Sequence, residues 1–320
     1  MKHAFFICFL LLSIAVPTLG QELFPNSESA SNVPKGVIGV RLSTEDYNIL
    51  NFSPFSTPTI GPYFRSMDCL KLMYGLGAKW SVYATSTVSN HHDSKLPAGY
   101  FSDDGKVYHS HNILKGAYPF LFEGVNIYSK YRFLTFDDNE SHIRMAMYNE
   151  LSLNHVAHDE AEPSLIGDNS GFGSGIIITK LKNKFAASLT TGFIIPFKYS
   201  ESQGHEFTSG NAFNYSLSLG YKAFPFTYKN YEQTNLNVYV ELMGVDYGKA
   251  TLGWNGKNVN ITGVYALQAG NVIDIRPGLQ LIIKSNLRLD FSTAYSLIGT
   301  SYTKIFPVYY LGIQRYFYLK

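Results

Sequence analysis

The chain has 320 residues, of which 15% are aromatic and only 16% charged, with a formal net charge of +2. Soluble domains carry about 25% charged residues, and so small a net charge argues against nucleic-acid binding. Many aromatics, few charges and a mean hydropathy of −0.05 fit a sheet that meets lipid on one face and water on the other. A soluble β-sandwich is the rival that composition alone leaves open.

The first twenty residues have the layout of a secretory signal peptide. Lys2 and His3 give a positive start, and residues 4–16 are apolar but shorter than the roughly 20 residues that span a bilayer. We therefore predict a signal peptide over 1–20, an N-terminal periplasmic segment over 21–34 and a single domain over 35–320. Removal of the signal leaves Cys69 as the one cysteine, so the domain has no internal disulfide, and Cys69 is expected to be a packing residue.

Alternation of apolar and polar residues is the main signal along the rest of the chain. In residues 235–243, NLNVYVELM, every second side chain is apolar. A period of two places alternate side chains on opposite faces of a β-strand. The same pattern recurs in residues 142–153 (HIRMAMYNELSL), 213–223 (FNYSLSLGYKA), 272–283 (VIDIRPGLQLII) and 286–295 (NLRLDFSTAY).

The predicted strands number about 12, at 35–47, 64–74, 79–89, 125–136, 142–154, 172–182, 185–197, 212–224, 234–246, 271–283, 286–298 and 307–319. Short connections, such as those near 75–79 and 284–286, alternate with long polar ones, such as 89–123 and 246–270. Barrels of outer membranes have short periplasmic turns and long outer loops. We therefore predict an all-β fold, a single antiparallel transmembrane β-barrel, with a count of 10 or 14 strands left open.

The last segment, VYYLGIQRYFYLK at 308–320, is rich in aromatic residues. With it the sequence resembles the outer-membrane β-barrel family of Gram-negative bacteria, whose members often finish on an aromatic strand. Phe317 and Tyr318 match that pattern, and Lys320 departs from it. The resemblance implies a location in the cell outer membrane, with outer-membrane lipid and the barrel-assembly machinery as partners. The plan of about 12 strands also resembles the transporter-like barrels linked to aromatic-compound uptake.

The polar faces of the predicted strands would line the barrel interior. Nine basic side chains fall there against four acidic ones, which predicts a net basic lumen and a narrow channel or uptake pore for small solutes. The alternative is a closed barrel, held by salt bridges such as Asp274–Arg276 and Arg288–Asp290, that acts through its loops. The predicted lumen-lining residues are Lys130, Arg132, Arg144, Glu150, Glu241, Asp274, Arg276, Arg288 and Asp290, and the remaining basic ones are Arg41, Lys71, Lys79 and Lys222.

Nothing in the sequence has the pattern of a soluble enzyme, and we expect neither a cofactor nor a metal. A histidine group in 89–123 has irregular spacing, so we expect a solvated loop rather than a metal site; it consists of His91, His92, His109 and His111. A membrane-embedded lipid hydrolase is a weaker alternative, with Ser110, or Ser141 beside His142, as the nucleophile. The glycines of GFGSG at 171–175 precede a strand and no Lys-Ser/Thr follows, so they indicate a loop-to-strand bend rather than a phosphate loop.

Tyrosine and phenylalanine crowd the predicted strand ends. Aromatic rings settle where the membrane meets water, so we expect an interfacial girdle. Its predicted members are Tyr74, Tyr128, Phe136, Phe224, Phe226, Tyr228, Tyr231, Tyr295 and Tyr316.

Overall fold

The computed structural model describes residues 24–48, 64–90, 120–138, 141–155, 160–200, 204–227 and 233–318. The predicted signal peptide, the histidine group, Ser110, Tyr228 and Tyr231 lie outside these residues. The strands are, in chain order, β1 Val37–Asn48, β2 Phe64–Gly75, β3 Trp80–Ser89, β4 Leu121–Asp137, β5 Ser141–Asn154, β6 Gly171–Lys182, β7 Phe185–Pro196, β8 Tyr199–Ser200, β9 His205–Thr208, β10 Ala212–Phe224, β11 Asn235–Tyr247, β12 Thr251–Trp254, β13 Lys257–Asn258, β14 Gly270–Ile283, β15 Leu287–Ile298 and β16 Val308–Tyr318.

Twelve of these strands form one closed antiparallel barrel, in the order β1-β16-β15-β14-β11-β10-β7-β6-β5-β4-β3-β2. Each pairs with its neighbours along the chain, and β1 closes the sheet against β16 from Val37↔Tyr318 to Tyr47↔Val308. The fold class and the strand count predicted from the sequence are confirmed. Predicted and observed strand ends differ by at most two residues except in β4, which begins at Leu121 rather than at 125.

The outward face of the barrel is apolar. A closed sheet leaves no strand edge with unpaired backbone groups in the bilayer. Apolar side chains on the outside avoid the cost of placing polar groups in lipid. Within the described residues, no helix is long and apolar enough to cross a bilayer. Exposed hydrophobic residues on this face include Leu70, Leu72, Ile127, Met147, Leu151, Ile176, Ile178, Leu189, Leu217, Leu219, Leu279, Leu289, Phe291 and Leu311.

The long connections at one end of the barrel build a second, small sheet in the order β13-β12-β9-β8. Leu252 of β12 and Phe207 of β9 are buried together with Leu267, which belongs to a short 3₁₀ turn, Tyr265–Leu267. This cluster continues onto barrel residues such as Ile194 and Val272. The sequence indicated only polar loops here, because the apolar residues are too scattered to give a strand period.

Residues 24–36, which we name the inner segment, run through the barrel interior. Phe24 and Ala30 are buried at 1% and 0% exposure, and Val33 is buried beside Tyr83 and Met73. This differs from the periplasmic segment predicted over 21–34. The segment, PNSESASNVPKG from 25 to 36, consists largely of small and polar residues, so its backbone fits the lumen and its N–H and C=O groups need partners there.

Two of the aromatic residues assigned to the interfacial girdle lie inside the barrel instead. Tyr316 is 7% exposed and packs with Val37 and Met73. Tyr128 stacks between two other inward tyrosines. The other described members of the predicted girdle are exposed, namely Tyr74, Phe136, Phe224, Phe226 and Tyr295.

Candidate functional site

Glu241, one of the predicted lumen residues, anchors the inner segment at Asn26 and Ser27. It lies on the inward face of β11 and is 0% exposed. Its carboxylate accepts hydrogen bonds from the backbone N–H of Asn26 at 3.1 Å and of Ser27 at 3.0 Å. The Asn26 amide at 2.6 Å and the Ser27 hydroxyl at 2.7 Å donate to it as well. A single carboxylate therefore meets both backbone and side-chain donors of the segment.

Glu28 connects the inner segment to the opposite wall through two ion pairs. Its oxygens lie 3.1 Å from Lys71 Nζ on β2 and 2.9 Å from Lys130 Nζ on β4. Lys130 is fully buried and also donates to the carbonyl of Ser29 at 2.8 Å. Buried charges persist when they are paired and hydrogen-bonded, and the inner segment supplies the partner for both lysines.

Arg288 and Asp290 form an ion pair on the inward face of β15, in which the Arg288 Nε–H is shared between the two Asp290 oxygens at 2.8 and 2.9 Å. Arg41 of β1 reaches the same carboxylate at 3.2 Å. The two arginines also donate to the inner segment, Arg288 to the Phe24 carbonyl at 3.0 Å and Arg41 to the Pro25 carbonyl at 2.8 Å. The predicted pairing of Arg288 with Asp290 is confirmed, and the pair holds the first turn of the segment.

Arg276 stands at the centre of a second charge network. It donates to Asp274 from Nε at 3.0 Å and from Nη2 at 2.9 Å, which confirms the predicted pair. Its Nη1 lies 3.3 Å from Glu45 of β1, whose other oxygen is 3.0 Å from Lys304. This chain of charges crosses the lumen from β14 to β1 and ends in the connection between β15 and β16.

The remaining basic residues predicted for the lumen lie near the end with the short turns. Arg144 donates to the Ser31 hydroxyl at 3.1 Å and pairs with Asp137 at 3.3 Å. Arg132 donates to the Ala78 carbonyl at 2.8 Å in an exposed position. Lys79 is exposed in the turn, and Lys222 is half-buried. These side chains lie at the rim of the barrel rather than in its middle.

A cavity of about 330 Å³ lies above the inner segment, in the half of the barrel that carries the long loops. Asn26, Ser27 and Glu28 form its floor. Barrel strands form its walls. The connection after β5 contributes residues 162–166, and the connection after β15 contributes Ser301, Thr303, Lys304 and Phe306. The inner segment thus divides the lumen into a filled half and a half with open space.

Two carboxylates at this cavity are held by hydrogen bonds rather than by ion pairs. Glu150 of β5 accepts from the Asn126 amide at 3.4 Å. Glu162 accepts from the Tyr302 backbone N–H at 3.0 Å and from the Ser301 hydroxyl at 3.1 Å, which ties the two loops together. Burial raises the pKa of Glu162 above its ordinary value, against the opposing effect of these hydrogen bonds.

Three tyrosines form a stack on the inner wall. The ring centroids of Tyr83 and Tyr128 are 5.4 Å apart, and those of Tyr128 and Tyr148 are 5.2 Å apart, with nearly parallel planes. Lys130 Nζ lies 5.2 Å from the Tyr83 ring centroid, a cation–π contact. Tyr128 and Tyr148 line the cavity, so the stack of rings extends from Lys130 to the cavity.

Ser141 and His142 do not form a catalytic pair. Neighbouring residues on a strand point to opposite faces, and His142 Nδ1 lies 3.0 Å from Asp137 rather than from a serine hydroxyl. In the described part of the chain, no group of three or more metal-ligating side chains is gathered. The glycines of 171–175 do not form a bend, since β6 begins at Gly171 and includes them; Gly175 lies under the Tyr148 ring.

Sequence reasoning left four carboxylates out of the lumen. Glu45 shares the inward face of Arg41, so the alternation of β1 could have identified it. Glu28 and Glu162 lie outside the barrel strands, where no period applies, and Glu123 lies in the part of β4 that was not predicted. Because the basic residues Arg65 and Lys304 were also left out, these four carboxylates reduce the excess of basic over acidic side chains without removing it.

A closed sheet of antiparallel strands, apolar outside and charged inside, defines the class of outer-membrane β-barrels. The structure is similar to an outer membrane channel from Pseudomonas putida F1, with a TM-score of 0.56 and 12% identity over 92% of this chain and 100% of that chain. At this identity the likeness concerns the fold.

Two further structures are less similar. The β domain of the Bordetella autotransporter BrkA has a TM-score of 0.37 at 11% identity, over 89% of this chain and 100% of that one. The outer membrane phospholipase A from Escherichia coli has a TM-score of 0.34 at 11% identity, over 87% and 88%. No protein-family model and no curated protein matches the sequence.

Proposed function

We propose that the protein is an outer-membrane channel for small polar solutes, closed in this conformation by the inner segment. The observation that carries the proposal is the cavity of about 330 Å³ that lies inside the closed sheet, directly above the segment. Small-molecule sites have volumes of about 300–1,000 Å³ and a few converging polar groups. The cavity has that size, and side chains from eight barrel strands and two loops converge on it.

The charges at the cavity favour neutral or cationic solutes. Of the described residues that line it, only Arg276 and Lys304 are basic, and both are paired with carboxylates. The basic lumen predicted from the sequence does not extend to this space. Five carboxylates of the described residues line it, namely Glu28, Glu45, Glu150, Glu162 and Asp274. Three of them are ion-paired, and Glu150 and Glu162 are the two held by hydrogen bonds alone.

Conductance of the refolded protein in a planar bilayer tests the proposal. Breaking one side of a buried ion pair costs about 3–5 kcal/mol, so Glu28→Gln should loosen the inner segment and increase the time spent in conducting states. A salt gradient should give a cation-selective reversal potential. Glu206→Gln is the matched control, because it removes a carboxylate that pairs with Lys198 on the exposed small sheet. Equal currents from both variants would contradict gating by the segment, and anion selectivity would contradict the assignment of solute charge.

A closed barrel that acts through its loops is the second candidate. The observation that favours it is the small sheet with its own buried cluster, which gives the long loops a defined surface. A protein that inserts into the bilayer and stays silent, both as wild type and as Glu28→Gln, would support this second function.

A further inference from the structure

A groove lies on the outward face of the barrel near the end with the short turns, where β6, β7, β10 and β11 are neighbours. Its volume is about 540 Å³. Ala187 of β7 faces outward between Lys180 and Leu219, its direct partners on the two adjacent strands. Because its side chain is small, the surface is indented there. Larger residues surround the indentation, namely Phe185, Leu219, Tyr221, Val238 and Val240.

Lysines border this groove on one side. Lys180 and Lys182 are exposed and occupy the outward positions that follow Ile176 and Ile178 along β6, and both line the groove. Lys184 follows in the turn, with its Nζ 5.7 Å from the Phe226 ring centroid. No ion pair joins these three lysines to a carboxylate of the described residues. An apolar depression and a cluster of cations therefore meet at one corner of the barrel.

The position of the lysines along the strand matches the boundary between lipid and water. Short turns mark the periplasmic end of an outer-membrane barrel. A lysine on the lipid-facing surface is tolerated near the interface, because its long stem lies along apolar surface while the ammonium group reaches the headgroup layer. The groups that such a lysine meets there are phosphates.

We infer that this corner binds one anionic phospholipid of the periplasmic leaflet, with its headgroup phosphate against Lys180, Lys182 and Lys184 and an acyl chain in the groove over Ala187. The charges and the apolar groove are complementary to the two parts of that molecule. Basic pockets at the membrane surface recognise anionic headgroups, and each buried methylene adds to the affinity. A free phosphate or a neutral lipid would satisfy only one of the two parts.

Native mass spectrometry of the folded full-length barrel in neutral detergent tests the inference. The probes are phosphatidylglycerol and phosphatidylcholine with identical acyl chains, and inorganic phosphate serves as a competitor. The wild type should retain phosphatidylglycerol preferentially. The triple variant Lys180→Gln/Lys182→Gln/Lys184→Gln should bind it more weakly, by about fivefold for each lysine removed, and should bind phosphatidylcholine unchanged.

Two matched variants separate the parts of the site. Lys198→Gln/Lys249→Gln/Lys257→Gln removes the same charge at the opposite end and should bind as the wild type does. Ala187→Leu fills the groove without changing charge and should weaken both lipids. Folding is checked for each by the mobility of the unheated barrel in gels, and single Lys180→Gln replaces the triple variant if that fails to fold. Equal retention of both lipids by the wild type, an equal loss in the far-end variant, or full displacement by inorganic phosphate would overturn the proposal.

Discussion

At the scale of single residues, inward tyrosines of the barrel lie against glycines on the neighbouring strand. Tyr148 pairs directly with Gly175, and Tyr239 pairs directly with Gly278. A Cβ atom at Gly175 would lie 2.6 Å from Tyr148 Cε1 and would also press on the Thr191 carbonyl. The missing side chain therefore provides the space in which the tyrosine ring lies flat.

We expect Gly175→Ala to destabilise the barrel by about 1–3 kcal/mol, the usual cost of overpacking. Urea unfolding of the refolded protein in micelles measures the loss. Gly77→Ala is the matched control, because a Cβ there meets nothing within 4 Å. Equal unfolding midpoints for the two variants would show that the Tyr148 ring moves aside at no cost.

The charged residues illustrate what the sequence could predict at this scale. Asp274 with Arg276, and Arg288 with Asp290, were predicted as pairs because residues two apart on a strand share a face. Both pairs form. Their further contacts were beyond prediction, since they join residues far apart in the chain. Arg288 binds the Phe24 carbonyl 264 positions away, and no local period encodes that distance.

At the scale of elements, the two loops over the cavity are joined through Glu162. Its pKa lies above the value of 4.5 that an unconstrained glutamate has, mainly because of burial. A carboxyl group whose pKa is raised by folding stabilises the protein below its unfolded pKa. That contribution is lost as the pH rises through the folded pKa. The net contribution of Glu162 to the free energy of unfolding should therefore fall as the pH rises above 4.5, because the cost of burying its charge exceeds what the hydrogen bonds to the charged form return.

We expect the thermal unfolding midpoint of the wild type to fall over this pH window by more than that of Glu162→Gln, which cannot ionise. Scanning calorimetry in detergent at several pH values measures the difference. Glu206→Gln is the control, because it removes a carboxylate of the small sheet that does not join the two loops. Parallel pH profiles for the wild type and Glu162→Gln would contradict a role for this carboxyl group.

The strands were predictable as elements, and the inner segment was not. In β11 the alternation of Leu236, Val238 and Val240 with polar residues shows which side chains share a face, and the length of the alternation shows how far the strand extends. The inner segment has no period, because its partners are side chains from many strands instead of a single ladder. Asn26 binds Glu241, 215 positions later in the chain. The sequence accordingly predicted only a periplasmic segment over 21–34.

At the scale of the whole molecule, the outward face of the barrel and the lipid around it determine which substitutions are tolerated. We expect Leu217→Arg, in the middle of β10, to cost about 2–4 kcal/mol in a bilayer, and Phe213→Arg, near the rim of the same face, about 0–1 kcal/mol. Both side chains are exposed, at 41% and 48%. Equilibrium refolding into liposomes measures the two costs. Equal costs would contradict the position of the membrane along β10.

The closing seam joins β1 to β16, so the first and last strands of the barrel are neighbours. The inner segment directly precedes β1 and is therefore made long before its enclosure can be completed. The barrel encloses nothing until β1 has paired with β16, and the contacts of Asn26 with β11 and of Phe24 with β15 join residues more than 200 positions apart in the chain. The segment that fills the lumen is thus the direct continuation of the strand that closes it, and a chain without β16 would leave that segment in an open sheet.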